Sequence, residues 1–597
     1  VQCGDGVAEG AEVCDDGNTY DGDGCSADCS TANCLVPITH TDIQDAVDDL
    51  ACTTIYVLPG TYTETLTLDR SVTIEGVQSG TVTVDGNGGG SVVTTTGPSL
   101  TLRHLTVTGG MDGTGAGIDA DGTTMVLEGT TVTGNTATGG ADQGGGVRIA
   151  NGTLIVNGSS IDGNTVTGTT DSGAGAGIYA AQSVVIVTAG SSVDGNTISS
   201  SGVGGSTMLT GGGIHSNAST LNIDGGSTVA DNTISLTSTV STHQLFGAGV
   251  FGMGASTLVM VSNATISGNQ IDANATTATS VTAQGAGIGL AQGSADLGPG
   301  TVIETNGIDA DASSVDADGA GIFMFQADLL AEGITVADNT ITATGNGQAQ
   351  VEGVGISAVP TSAAFVFIED STVSGNIGTA NANTTALAVG GALYVHGNVD
   401  SAVVVASTFS GNQVTGNGDS RGGAVSVQAG GNIEFENCTL SGNTSDAAGT
   451  AAGGAVEAGA AAIVFAVNST IASNTATDSG GAFSGAAVPV VQHSIVYDNT
   501  ATTGAMCDGA MTIADVNILG PDLTGCTVDT TNQVLMDPSL GTLGDNGGPT
   551  MTHAIDDMSP AHDAGAATCL NGATPITVDQ RALPRTGNCT LGSYEPQ

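Results

Sequence analysis

Between Asp15 and Asp23 the stretch "DDGNTYDGD" places Asp15, Asp16, Asn18, Asp21 and Asp23 within nine residues. Carboxylate and amide oxygens at that density suit a hard cation such as Ca²⁺, which takes about six to eight oxygen ligands. The spacing is not that of an EF-hand. The ligands expected are Asp16, Asn18, Asp21 and Asp23, and the cofactor expected is Ca²⁺. A second acidic run, "IDADASSVDADG" (Ile308–Gly319), reads as a solvated acidic loop.

Other chemistry is harder to place. Cleavage of a polysaccharide needs Arg or Lys beside a carboxylate, or two or three carboxylates converging on one strand face. Neither arrangement is legible, and catalysis is expected to be absent. The histidines at 40, 104, 243, 396, 493, 553 and 562 have no zinc-like spacing. Lysine is absent, and six arginines face 58 acidic residues for a formal charge of −52. A chain without a basic footprint does not bind nucleic acid or anionic membrane surfaces. No apolar run approaches the length of a membrane span, so no membrane insertion is expected.

The cysteines cluster. Cys3, Cys14, Cys25, Cys29, Cys34 and Cys52 lie near the start, and Cys507, Cys526, Cys569 and Cys589 near the end. Even clusters of this kind read as disulfides paired within each cluster, hence an oxidising, extracellular or cell-surface location. By proximity, Cys507 is expected to pair with Cys526 and Cys569 with Cys589. No charged segment followed by an apolar one opens the chain, so a secretion leader is expected to have been removed. Cys438 stands alone and is expected to be a buried free thiol.

The elements that position these groups come from a repeat. An asparagine recurs at 135, 164, 196, 232, 269, 306, 339, 376, 412, 443, 474 and 499, at spacings of 25 to 37 residues. Three positions before each stands a hydrophobic residue, from Val132 to Val496, and five before it a small residue in all copies but one. Positions two apart share a strand face. A second signature, "GGGV", "GAGI" or "GGAV", falls between the asparagines, and a third apolar stretch such as "TLIVNG" follows it. About three short strands per repeat, without helical periodicity, predict a parallel β-solenoid. The aliphatic points inward, and the asparagine sits at a corner in left-handed backbone. "TDIQDAVDDLA" (Thr41–Ala51) predicts a capping helix burying Ile43, Ala46, Val47 and Leu50.

The residue after each glycine-motif aliphatic forms an outward ladder that includes Asp119, Arg148, Tyr179, His215 and Phe251. Tyr179, His215 and Phe251 are expected to stack on neighbouring coils as an interaction strip for sugar or for another copy of the chain. Arg148 beside Asp119 reads as a simple ion pair.

The helix, "IYVLPGTYTETLTL" and "SVTIEG" resemble the entry of right-handed parallel β-helix proteins of the pectate-lyase-like superfamily. "GGAL" with "FSGN" (Phe409–Asn412) resembles the repeats of chlamydial polymorphic outer-membrane proteins. "CGDGVAEGAEVCDDGNTYDGDGCSADC" (Cys3–Cys29) resembles a Cys-rich repeat of myxobacterial surface proteins. "DPSLGTLGDNGGPTMTHAIDDMSPAHDAG" with "DQRALPR" resembles the C-terminal module of bacterial β-helix surface proteins.

Together these predict an all-β, right-handed parallel β-helix of a dozen or more coils with a short N-terminal capping helix and small disulfide-rich end modules. The boundaries expected are 1–35 for the Cys-rich module, 36–505 for the solenoid and 506–597 for the C-terminal module. The function expected is that of a secreted structural or adhesive surface protein, a fibre subunit associating head to tail. The alternative is a polysaccharide-binding or polysaccharide-cleaving β-helix. If calcium orders the N-terminal module, chelator should lower its melting temperature and disperse assemblies seen by microscopy. Indifference of both to chelator would leave a plain disulfide-held turn.

Overall fold

The computed structural model describes residues 34–597 except 78–79, 140–141, 169–171, 202–204, 240, 276–279, 361–363, 529–532 and 566–567. The chain divides into two compact units, Val1–Ser235 and Leu236–Gln597, and within each the strands wind as a parallel β-solenoid. In the first unit one coil runs through Val147–Ala150, Thr153–Asn157, Ser160–Asp162 and Thr165–Gly168. Each strand lies parallel to its counterpart one coil on: Val147 faces Ile178, Leu154 faces Val185, Ser160 faces Ser192 and Val166 faces Ile198. The sequence suggests three strands per repeat. The fourth, after the asparagine, is short and built from Thr and Gly, which read as turn.

The inward aliphatics behave as expected. Val132, Ile161, Val193 and Val229 in the first unit, and Ile266, Ile303, Val336 and Val373 in the second, are fully buried. Each such burial is worth roughly 1.5–3 kcal/mol.

The asparagines form a second buried column. Asn135 Nδ2 donates to Asn164 Oδ1 at 3.0 Å, Asn164 to Asn196 at 3.1 Å and Asn196 to Asn232 at 3.0 Å. In the second unit the same bond recurs from Asn269 through Asn306, Asn339, Asn376, Asn412, Asn443 and Asn474 to Asn499, at 2.8–3.0 Å. Each Oδ1 also accepts a backbone N–H from the coil before, as Asn376 Oδ1 does from Asn339 N. Each amide also reaches the carbonyl of an inward aliphatic, as Asn376 Nδ2 does to Val336 O.

One expectation is corrected. The asparagine is not the left-handed residue; its predecessor is. Gly134, Gly163 and Gly195 have φ near +65°, and where glycine is absent Asp231, Thr305 and Asp338 take φ near +55°. The asparagine is required for its side-chain hydrogen bonds, and the preceding Gly or Asp makes the turn. The small residue five before has a parallel role: Ser371 Oγ accepts from Ile334 N at 3.2 Å, and Ser407 Oγ from Ser371 N at 3.1 Å.

The helix is shorter than expected, Ile43–Asp48, with Asp42 as N-cap accepting from Asp45 N at 2.8 Å. Glu64 of the coil accepts from Ile43 N and Gln44 N, and Arg70 donates to Val47 O, so the coil fastens both helix ends. Ile43, Ala46 and Val47 are buried, but the helix ends before Leu50, which is 81% exposed. Cys34–Cys52 closes the cap, and Cys507–Cys526 and Cys569–Cys589 pair as expected.

A further correction falls in the second unit. The run beginning at Ile308 is not a solvated loop. It is the strand Gly307–Asp318, whose Ile308, Ala310, Ala312, Val315 and Ala317 alternate inward. Its period-two pattern is that of a half-buried strand. The C-terminal residues, with their two disulfides, pack on the solenoid. They lie along the flank of four coils: Thr550 donates to Ala406 O, Thr439 to Gln580, Ser441 pairs with His553, and Ser593 N donates to Thr470 Oγ1. The "DQRALPR" segment fastens this strap. Asp579 and Arg581 make a buried 2.6 Å ion pair, and buried Arg585 donates to Asn437 Oδ1 at 2.8 Å.

Asn376→Ala should strand donors and acceptors on both neighbouring coils and cost roughly 2–4 kcal/mol in denaturant unfolding. A loss under about 0.5 kcal/mol would show the column to be incidental. Cys438 is free and buried, with its thiol pushed up to about 12 by burial. It should resist alkylation until denaturant is added, and Cys438→Ser should be mild because Ser fills that column elsewhere. Rapid labelling of the native chain would contradict this.

Candidate functional site

The glycine motif makes the site. Gly285, Gly319 and Gly353 take φ of +53° to +67° at the corner between two strands of a coil. A Cβ at Gly285 would lie 2.6 Å from Gly289 Cα. Only glycine permits a corner this tight. The corner is concave, so outward side chains from the strand before and the strand after it face one another across a groove.

The expected interaction ladder is formed but buried. Tyr179, His215 and Phe251 occupy the expected ladder positions, and Tyr179 and His215 stack at 5.0 Å between ring centroids. All three are buried, at 9%, 3% and 3% exposure. Phe251, in the second unit, stacks on Phe246 at 5.5 Å. His215 bonds Thr210 Oγ1 at 2.8 Å, and burial lowers its pKa to about 4, so it is neutral. The Arg148–Asp119 ion pair forms at 2.6 Å. At its partial exposure it contributes little.

In the second unit the same concavity gathers carboxyl groups that are dispersed in sequence. Asp316 and Asp318 share one face of the strand Gly307–Asp318. On the next coil Gln350 is the register partner of Asp316, and Glu352 that of Asp318. Tyr394 follows Ser357 on the facing column, with Ser426 and Glu457 beyond it. Two cavities of about 340 and 330 Å³ adjoin here, sharing Gln350 and Leu387 as walls. The first is lined by Asp316 and the second by Glu352, Tyr394, Arg421, Ser426 and Glu457.

The electrostatics follow from burial without counter-charge. Asp318 is 3% exposed. Burial, then the neighbouring Asp316 and Glu352 charges, hold its pKa well above the usual carboxylate range, against the Gln284 hydrogen bond. Its Oδ2 accepts from Gln284, and its Oδ1 has no partner. Burial brings Glu352 to about 7, opposed by a hydrogen bond from Gln350, reinforced by Asp316 and opposed by one from Tyr394. Burial also raises Asp316 and Tyr394. Burial raises Glu457, with Arg421 and a 3.1 Å bond from Ser426 opposing. Ser357 Oγ, fully buried beside Tyr394, has no hydrogen-bond partner. Burial thus favours the neutral forms of both Asp318 and Glu352, and Glu352 stands near its midpoint at neutral pH.

The convergence expected of a carboxylate site is thus present although the sequence does not display it. Asp318 and Glu352 are 34 residues apart (352 − 318), and only the coil length makes them neighbours. The signal available was the position of each, directly before a glycine motif.

Asp16, Asn18, Asp21 and Asp23, with Cys3, Cys14, Cys25 and Cys29, lie outside the described residues. Among the described residues one trio of metal-ligating side chains is close enough to share an ion: Cys34, His40 and Cys52. Its two sulfurs form a disulfide, so it is not a metal centre. Among those residues no helix is long and apolar enough to cross a membrane. No protein-family model matches the chain, and no curated protein matches it.

Because folding raises the Glu352 and Asp318 pKa values, the folded chain binds more protons than the unfolded one from the ordinary carboxylate range up to about pH 7 for Glu352. Stability must fall as pH rises through that window. The second unit should melt higher at pH 5 than at pH 8, and Glu352→Gln should flatten the difference while being no less stable than the parent at pH 8. A Gln variant with unchanged pH dependence would show that Glu352 titrates normally.

Proposed function

We propose that this chain is a secreted surface β-solenoid of adhesive role that binds polysaccharide in the groove of its second unit. The observation that carries this reading is the groove itself, an open concavity walled by carboxyl, phenol, hydroxyl and amide groups. Three disulfides support an oxidising, extracellular location. The resemblance of Cys3–Cys29 to surface-protein repeats, and of the coils to pectate-lyase-like β-helices, points the same way.

A cleaving role is the second reading. Its specific support is the Asp318–Glu352 pair, an acid and a titratable carboxyl side by side on neighbouring coils. Calorimetry of the full chain against neutral, amino and acidic oligosaccharides separates these readings. Binding to at least one class is expected, weakened about tenfold by Tyr394→Phe or Ser426→Ala, with no new reducing ends. Release of reducing ends, abolished by Glu352→Gln, would establish cleavage. Failure of every saccharide to bind would overturn the glycan reading.

A further inference from the structure

We propose that the C-terminal strap is an acid-sensitive clasp, docked on the solenoid while His493 and His553 are uncharged and released as they take up protons.

The strap sits on one column of corners. Ala406, Asn437, Asn468 and His493 each take φ of +46° to +53°, and each directly follows one of four strands in register: Val399–Val405, Asn432–Glu436, Ile463–Val467 and Val490–Gln492. All four meet the strap. Ala406 O accepts from Thr550 Oγ1 at 2.9 Å, and His493 O accepts from Gly592 N at 2.8 Å. Asn437 Nδ2 donates to Val578 O at 3.2 Å, and Asn468 Nδ2 to Thr590 O at 3.3 Å. The two asparagines serve the strap with amides that hold no charge at any pH. His493 occupies the same kind of corner with a ring that titrates.

His493 is 1% exposed, and neither ring nitrogen has a hydrogen-bond partner. The charged groups facing it are Asp515 from the next coil, whose Oδ2 lies 3.7 Å from Nε2, and Arg585 from the strap. Asp515 is more than half exposed, so its charge is shared with water. Arg585 is buried, donates to Asn437 Oδ1 at 2.8 Å and lies 3.7 Å from Glu595. An imidazolium at His493 would be a second buried cation near it. Burial lowers the His493 pKa, with Asp515 opposing, Arg585 reinforcing and the Leu570 carbonyl opposing.

His553 stands on the strap side of the same interface and is 6% exposed. Its Nδ1 lies 2.7 Å from Gly541 O, and its Nε2 lies 2.8 Å from Ser441 Oγ on the solenoid. A carbonyl only accepts, so Nδ1 carries the proton and Nε2 accepts from the serine hydroxyl. A second proton would reverse that bond and bury a charge. Asp498 and Asp537, both exposed, line the cavity beside it. Burial lowers the His553 pKa, against the Gly541 bond.

Once released, both rings return to water, where histidine titrates near ~6.5. A ring whose pKa is lower when docked holds the strap at full strength above that value and loses its hold as pH falls below it. This sign is opposite to that of Asp318 and Glu352, and to that of buried Glu595 in the strap, which burial raises. Acid therefore tightens the coils of the groove while the two histidines loosen the clasp. Release uncovers the outward face of Thr408–Ser410, Thr439–Ser441 and Thr470–Ala472, which the strap covers with Met551, Gln580 and Ser593.

The test is hydrogen exchange of the full chain at about pH 7.5 and about pH 4.5, read as protection factors so that the intrinsic pH dependence cancels. The amides of Leu591, Gly592 and Ser593 are expected to lose protection at least about tenfold at the lower pH, while those of Asn339 and Asn376 keep theirs. His493→Asn supplies the residue that Asn437 and Asn468 already provide at this corner. Combined with His553→Gln, it should remove most of the loss. Proton NMR of the parent gives a reading that needs no variant: two histidine ring signals should titrate below the ordinary value, with strap protection falling in step. Strap protection unchanged at the lower pH would overturn the proposal, as would an equal loss in a double variant that docks its strap at neutral pH. If that variant does not dock, the parent decides: strap protection lost without titration of two such rings would also overturn it.

Discussion

Everything in this protein depends on keeping successive coils in register, and the buried asparagine column does that. Aliphatic burial supplies most of the stabilising free energy, but it is non-directional and tolerates a slip along the strand. The asparagine does not. Its amide donates to the carboxamide of the next coil and to the carbonyl of an inward aliphatic of an earlier one, and its oxygen accepts the preceding asparagine's backbone N–H. A coil displaced by one residue would leave four buried polar groups unpaired, at roughly 1–3 kcal/mol each. The column therefore selects a single stacking, and with it the pairs of residues that face each other across the glycine corner.

The same register determines where charge accumulates. A carboxyl placed directly before a glycine motif lands inside a concave corner, and one placed mid-strand on the outer face lands in water. Asp309 and Asp318 illustrate the two outcomes within one strand. Asp309 is exposed, whereas Asp318 is buried against Glu352 and Asp316. With no lysine in the chain, burial rather than a counter-charge governs the titration of this inner site, and it favours the protonated forms.

The fold was legible because its signals are local and periodic. The Asn with an aliphatic three residues earlier marks one face of a strand, and all the disulfides among the described residues follow from proximity in sequence. The left-handed position was misassigned because Asn tolerates it, yet Asp231, Thr305 and Ser473 show that the residue before the Asn carries it. The burial of Tyr179, His215 and Phe251 was not legible because period two says which residues leave the core, not whether the surface they reach is convex or concave. The acid pair was hidden for a different reason: variable coil lengths mean that no fixed spacing announces Asp318 and Glu352 as neighbours. The flank-lying strap was hidden by distance, since Gln580 meets Thr439 across 141 residues.

The central claim is that Asp318 and Glu352 in the second unit keep their protons above the ordinary carboxylate range, an unusual state on so acidic a chain. Infrared titration of the carboxyl C=O stretch tests it directly, comparing the parent with Asp318→Asn. The account predicts a protonated-carboxyl band that persists above the ordinary carboxylate range in the parent and is weakened in the variant. A parent whose carboxyl band disappears entirely within the ordinary carboxylate range would contradict it.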